Sequence, residues 1–458
     1  MAYKTVNPFT NKEVKSFTSL TEQEVTAKID QADACYKEWR KTDFATRRAV
    51  MKKAATIMRE NKAKFASLVT LEMGKLISDA EGEVDLTADI FDYYADNAEE
   101  FLAPEILKPK DGRKAYVEHD SIGIILCVEP WNFPYYQLVR VAATNLMAGN
   151  VVMVKHASIV PQCAEAFEQL MLDAGAPKGA YTNLFVDSKH IAAIIHDRRI
   201  RGVAVTGSEK AGASVAGEAG KALKKSTMEL GGSDAFIVLE DADLDKACKW
   251  GIWGRMNNTG QCCVAAKRFI VVESVADKLL KQLTECLSNL KAGDPMDRST
   301  TLGPLSSEEA AKEIAELTAT AIKHGAKAVV GGKRPDMPGA FMEATILTNI
   351  TKENPVFYRE FFGPVIMFFT VPDEKAAIAL ANDSEFGLGG TVFSNNIERA
   401  QKVASQIDTG MVFINRPTWT SPDLPFGGVK HSGYGRELSK EGIMEFVNRK
   451  LIYIENKG

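Results

Sequence analysis

The chain has 458 residues, with 56 Lys+Arg against 60 Asp+Glu and a formal net charge of −4. An apolar fraction of 45% is too high for an intrinsically disordered chain, and the charge balance lacks the basic excess of a nucleic-acid-binding protein. The most apolar short run, residues 122–128, falls far short of the roughly 18 residues that span a bilayer. No secretory signal is visible at the N-terminus, and the seven cysteines are odd in number and irregular in spacing. These features predict a cytoplasmic protein of several domains, with no membrane or nucleic-acid partner and no disulfide framework.

In chain order, residues 22–73 read as helical. Val50, Met51, Ala54, Ile57, Met58, Phe65, Leu68 and Val69 recur at three- and four-residue spacing. From about Tyr116, short β-rich runs alternate with Ala-rich helical stretches. Strands are predicted at 123–128, 151–155, 181–185, 202–205 and 235–239, and helices at 136–147 and 163–174. Apolar strands alternating with helices predict an α/β fold with parallel sheets covered on both faces. The pattern resumes with strands at 267–272, 327–331 and 365–370, a helix at 274–290, and a terminal strand at 450–454.

The usual signals of cofactor and metal chemistry are missing. The nearest match to GxGxxG, Gly433-Tyr-Gly435-Arg-Glu-Leu438, lacks the third glycine and sits at the wrong end of the chain. The six histidines are isolated and there is no CxxC, so no metal site is expected. Two segments carry chemistry instead. In Asn258-Thr-Gly-Gln-Cys-Cys263 a Gly-Gln turn delivers a cysteine pair, and no histidine lies nearby to form a dyad. In Met228-Glu229-Leu-Gly-Gly232 a glutamate sits among apolar residues, where burial would raise its pKa toward that of a general base.

These segments, with Pro130-Trp-Asn-Phe-Pro134, Gly149-Asn-Val-Val-Met-Val-Lys155, Thr206-Gly-Ser-Glu-Lys-Ala-Gly212, Glu360-Phe-Phe-Gly-Pro364 and Pro425-Phe-Gly-Gly-Val-Lys-His-Ser-Gly433, resemble the aldehyde dehydrogenase superfamily nearly end to end. The resemblance implies a Rossmann-type cofactor domain at 1–107 and 129–229, an α/β catalytic domain at 230–440, and a small β oligomerisation arm at 108–128 and 441–458. It implies a homodimer or homotetramer.

The resemblance makes Cys263 the nucleophile rather than Cys262, because the family pattern keeps one variable residue between Gln and Cys. Glu229 becomes the base for thioester hydrolysis, and Asn132 an oxyanion donor beside the Cys263 backbone N–H. Glu229 argues against relatives that pass the acyl group to coenzyme A. The implied cofactor contacts are Trp131, Lys155, Ser158, Gly207, Ser208, Gly212, Leu230, Glu360 and Phe362. Where the family often has a glutamate for the ribose hydroxyls, this chain has Ser158. A serine can donate to a 2′-phosphate that a carboxylate would repel, so NADP is expected over NAD, with NAD still possible. His156 next to it reads as a surface residue.

The chain looks most like a compact bacterial branch of succinate-semialdehyde dehydrogenases. Those enzymes keep an arginine where this chain has Arg140, to pair with the substrate carboxylate. Their second arginine would fall at Asn257, with Arg255 two residues away. Thr420 or Ser421 would supply a hydroxyl contact. The rival readings are another small or acidic aldehyde, a cofactor-free cysteine hydrolase, and a non-catalytic binding protein on the same scaffold. Under oxidants, Cys262 is expected either to be inert or to trap a Cys263 sulfenic acid.

Overall fold

The computed structural model describes residues 3–455. The helical stretch 22–73 is three helices, Glu22–Trp39, Phe44–Glu60 and Lys62–Met73. Asp43 caps the second by accepting from the Thr46 N–H, and Gly74 closes the third with φ 77°.

Two mostly parallel sheets organise the molecule. The first has six strands, in the order Gly433–Tyr434, Lys225–Glu229, Ile200–Thr206, Ile124–Glu129, Val151–His156 and Tyr181–Asn183. The second has seven, in the order Lys327–Val330, Thr345–Thr348, Val365–Val371, Ala266–Val272, Asp234–Val238, Gly390–Phe393 and Phe413–Ile414. Strand Ala266–Val272 is buried throughout, as is Asp234–Val238 beside it, so Phe269–Val272 and Ala235–Val238 are apolar, while the buried Lys267, Arg268 and Asp234 each find polar partners.

A third sheet has three antiparallel strands, Val447–Ile454, Lys114–Ser121 and Glu105–Leu107. It presents Ile106, Leu451 and Tyr453 to solvent. Two expected boundaries shift. The arm assigned to 108–128 starts at Glu105, and Ile124–Glu129 leaves it for the middle of the six-stranded sheet. Gly433–Tyr434, assigned to the catalytic domain, pairs with Glu229 and Met228 at the edge of that same sheet. A side chain at Gly433 would place Cβ 1.9 Å from the Met228 carbonyl oxygen, so only glycine allows this return.

Helix Pro134–Met147 is buried on every side. Pro134 opens it, and the buried Glu83 carboxylate accepts from the N–H groups of Tyr135 (2.8 Å) and Tyr136 (3.3 Å). Lys75 pairs with the other Glu83 oxygen. This helix carries Arg140 into the interior.

Candidate active site

The nucleophile loop begins where helix Leu244–Met256 ends. Asn258, Thr259 and Gly260 turn the chain through positive φ values of 53°, 54° and 76°. Left-handed non-glycine residues cost of order 1–3 kcal/mol each, so the surroundings must hold them. Asn258 Nδ2 donates to the carbonyls of Asn132 (2.8 Å) and Gln261 (3.1 Å), and the Thr259 hydroxyl donates to Gly303. The fully buried Arg255 guanidinium donates to the carbonyls of Gly260, Phe361, Gly363 and Val365. Arg255 is thereby occupied as a clamp on the loop and does not reach the inner pocket.

Lys267, fully buried four residues after Cys263, donates to the carbonyls of Cys262 (2.8 Å) and Cys263 (2.7 Å) and lies 2.9 Å from Glu360 Oε1. The two thiols titrate as a coupled pair. The neighbouring thiol and Lys267 favour loss of one proton from the pair; the charge so formed and burial oppose loss of the second. Cys262 is buried, and Cys263 is half-buried where two cavities meet.

The outer cavity is a cleft of about 390 Å³ along the carboxyl end of the six-stranded sheet. It gathers Trp131, Gly207, Ser208, Leu230, Glu360 and Phe362. Ser208 caps helix Glu209–Lys221 by accepting from the Ala211 N–H (3.3 Å), and Gly207, Ser208 and Glu209 at that end line the cleft. Gly212 admits Leu230, whose Cδ2 would lie 2.6 Å from any Cβ there. A Cβ on Gly231 would come within 2.7 Å of a Glu360 oxygen, and Gly232 N–H donates to Glu360 at 3.1 Å. Trp131 and Phe362 meet edge to face, 5.8 Å apart.

This donor set fits a dinucleotide: a helix N-terminus for pyrophosphate, a carboxylate for ribose hydroxyls, and aromatic faces beside the thiol. Lys155 and Ser158 lie at and just after the end of the neighbouring strand and do not line the cleft itself. His156, read as a surface residue, is fully buried. Its Nδ1 meets the Glu129 carbonyl at 3.2 Å, and burial pushes its pKa down to about 4.

The inner cavity, about 50 Å³, runs behind Cys263 between Tyr136, Arg140, Trp253, Trp419, Thr420 and Phe426. Arg140 is 2% exposed and sits between the rings of Tyr136 (4.6 Å) and Phe426 (5.1 Å). Its Nε lies 2.7 Å from Glu437, Nη2 donates to Thr206 (3.2 Å) and Gln137, and Nη1 donates to the Tyr136 hydroxyl (3.4 Å). Tyr136 and Thr420 share a hydroxyl hydrogen bond of 2.7 Å. Ser421 is outside the pocket, with its hydroxyl donating to Asp423, so of the two candidate hydroxyls only Thr420 is in place.

Asn132 lines the outer cleft beside Cys263. Its Nδ2 donates to the Gln261 carbonyl (3.2 Å) and its Oδ1 accepts from Gln137 (3.3 Å), which fixes the amide and leaves one N–H unused. Glu229 is buried at the end of strand Lys225–Glu229 and lines neither cavity. Neither of its oxygens has a hydrogen-bond partner among the described residues. Burial raises its pKa well above the ordinary carboxylate value, Glu437 adds to the rise, and Arg140 opposes it.

Sequence reading missed Lys267, Gln137, Tyr136, Thr206 and Glu437. A lysine inside the apolar run Cys263-Val-Ala-Ala-Lys267, and a tyrosine four residues before Arg140 on one helix face, were the available signals. Among the described residues, no group of three or more His, Cys, Asp or Glu side chains is placed to hold a metal ion. No described helix is long and apolar enough to cross a membrane.

A cysteine pair seated between a dinucleotide-shaped cleft and a closed inner pocket defines a class: enzymes that hold a substrate on a thiol next to a bound dinucleotide. Comparison with known proteins makes the assignment specific. The aldehyde dehydrogenase family model matches residues 1–452, and the chain belongs to that family. It is 50% identical over 450 residues to the succinate-semialdehyde dehydrogenase [NADP(+)] of Deinococcus radiodurans, covering 98% of this chain and 94% of that one. It is 45% identical to a probable succinate-semialdehyde dehydrogenase [NADP(+)] of Synechocystis, covering 99% and 100%. The crystal structure of succinic semialdehyde dehydrogenase from Streptococcus pyogenes in complex with NADP+ superposes with a TM-score of 0.98 at 50% identity, covering 99% of this chain and 100% of that one.

Proposed function

We propose that the protein oxidises succinic semialdehyde to succinate with NADP+, by covalent catalysis on Cys263. The observation that carries this reading is the buried Arg140, held at the wall of a small aromatic pocket that opens on the Cys263 thiol. An arginine desolvated between two rings and fixed by Glu437, Gln137 and Thr206 is a pre-organised partner for a carboxylate. Tyr136 and Thr420 add hydroxyl donors beside it. The printed names of the relatives point to the same substrate and cofactor.

The Cys263 thiolate attacks the aldehyde carbon, and the carbonyl oxygen takes up the charge. Asn132 Nδ2 and the Cys263 backbone N–H donate to that oxyanion; one such donor is typically worth about 3–4 kcal/mol. Bound NADP+ supplies the hydride acceptor. Hydride loss leaves a thioester on Cys263. Glu229 then takes a proton from water as the water oxygen attacks the thioester carbon; the C–S bond breaks, releasing succinate and the Cys263 thiolate. Because no hydrogen bond holds the Glu229 carboxylate, it can swing from its buried position toward the thioester.

Ser208 and the helix behind it hold the pyrophosphate, Glu360 the nicotinamide ribose, and Lys155 with Ser158 the 2′-phosphate. The cleft also accommodates NAD. The three-stranded arm, with its exposed apolar side chains and open edge, pairs protomers into a dimer or tetramer. The free thiols suit a reducing cytoplasm.

The test is steady-state reduction of NADP+ and NAD+ with succinic semialdehyde, butanal and a larger acidic aldehyde. The reading expects kcat/KM for succinic semialdehyde with NADP+ to exceed each alternative by about tenfold or more. Preference for butanal, or a tenfold preference for NAD+, would overturn the substrate or the cofactor part respectively.

A further inference from the structure

Glu129 ends strand Ile124–Glu129, immediately before the motif that carries Trp131 and Asn132. No step of the reaction uses it. It is 2% exposed, and neither of its oxygens has a well-formed hydrogen bond among the described residues. The parallel register pairs Val128 with Val205 and so brings Thr206 beside Glu129, and the Thr206 hydroxyl accepts from Arg140 Nη2 at 3.2 Å.

Charge counting sharpens the point. Three buried carboxyl groups, Glu129, Glu229 and Glu437, lie within electrostatic reach of Arg140, and only Glu229 has a second cation, Arg436, acting on it. Glu437 already sits 2.7 Å from Arg140. An ionised carboxylate buried without hydrogen bonds or a cation of its own is too costly to persist, so Glu129 holds its proton.

We propose that Glu129 tunes Arg140 through its own charge: as a neutral acid behind Thr206 it leaves the arginine's charge available to a substrate carboxylate, and on ionising it competes for that charge. This rests on the reading of Arg140 as the carboxylate anchor. It makes preference for an anionic aldehyde depend on a proton that the chemistry never moves.

The other groups facing Glu129 keep their charge state over the working range. His156 from the adjacent strand is pushed down to about 4 and stays neutral. Cys127 on the same strand and Tyr181 beyond it are pushed well up by burial, and Tyr136 on the Arg140 helix is pushed up to about 12. Glu437 and Glu229 remain as the titratable neighbours, and substituting Glu129 alone separates its effect from theirs.

The experiment measures kcat/KM with NADP+ for succinic semialdehyde and for butanal from pH 7 to pH 10. Their ratio cancels effects common to both aldehydes. In the wild type the ratio is expected to fall about fivefold as pH rises, because an added anion weakens the Arg140 site. In Glu129→Gln it should match the wild type at pH 7 within about twofold and stay flat. Glu129→Met, also uncharged and of similar length, serves if the glutamine variant fails to fold. A wild-type ratio that stays flat, a glutamine variant that keeps the fall, or a variant that loses the preference at pH 7 would each overturn the proposal. A wild type with no preference for the anionic aldehyde at pH 7 would instead refute the Arg140 reading beneath it.

Discussion

The two cavities that meet at Cys263 are built from different materials. The outer cleft, about 390 Å³, is shaped by glycines, a capped helix end and aromatic edges, with Glu360 as its fixed charge near the thiol. The inner pocket, about 50 Å³, is walled by aromatic rings and depends on a buried arginine with side-chain partners. A long cofactor is thus recognised through backbone contour, and a small substrate through placed charge. The consequence is separability: substitutions in one cavity should leave recognition in the other nearly intact.

The largest effect expected is from Cys263→Ala. It should lower aldehyde oxidation by about 10⁴-fold or more, with NADP+ affinity by fluorescence titration changed less than about twofold. Parallel losses in both would show that the cavities are not independent. Lys267→Met removes a side chain that ties the two together, through Cys262, Cys263 and Glu360. Breaking a buried pair this way costs about 3–5 kcal/mol, and denaturant unfolding should show it. An unchanged midpoint would mean that the cavities are braced by something else.

Arg140→Ala sharpens the contrast within the inner pocket. It should reduce kcat/KM for succinic semialdehyde about 100-fold and that for butanal less than about threefold. Equal losses would assign Arg140 a purely architectural role. The smallest effect concerns pH. Burial raises the Glu129 pKa in the folded state, so the folded protein binds this proton more tightly than the unfolded chain does. The stability contribution is therefore complete below the unfolded carboxylate value of about 4.3 and declines as pH rises above it. Thermal melts of Glu129→Gln should then gain on the wild type at pH 8 and match it near pH 4. The same gain at both pH values would point to packing rather than titration.

How far these regions could be read from sequence follows the same division. The outer cleft is made of contiguous motifs, so Trp131, Gly207, Ser208, Leu230, Glu360 and Phe362 were all legible, and the structure gathers them in one cleft. Local spacing also placed most strands, because parallel strands buried on both faces read as apolar runs. The inner pocket is assembled from residues 136–140, 253, 418–420 and 426, and no single stretch announces it. Arg140 was legible; its partners Thr206 and Glu437, 66 and 297 positions away, were not (206 − 140 and 437 − 140). Arg255 lay close to an expected second arginine by numbering alone, and its helix aims it at four carbonyls instead. The arm boundary slipped because Ile124–Glu129 follows Lys114–Ser121 after only two residues, Ile122 and Gly123, and sequence does not show that the chain changes sheets there.

The most direct test of the mechanism is peptide mass spectrometry of Glu229→Gln after mixing with succinic semialdehyde and NADP+. With the hydrolytic base disabled, a succinyl group is expected to accumulate on Cys263, with NADPH formed in equal amount. NADPH formation without an adduct, or an adduct on Cys262, would contradict the account.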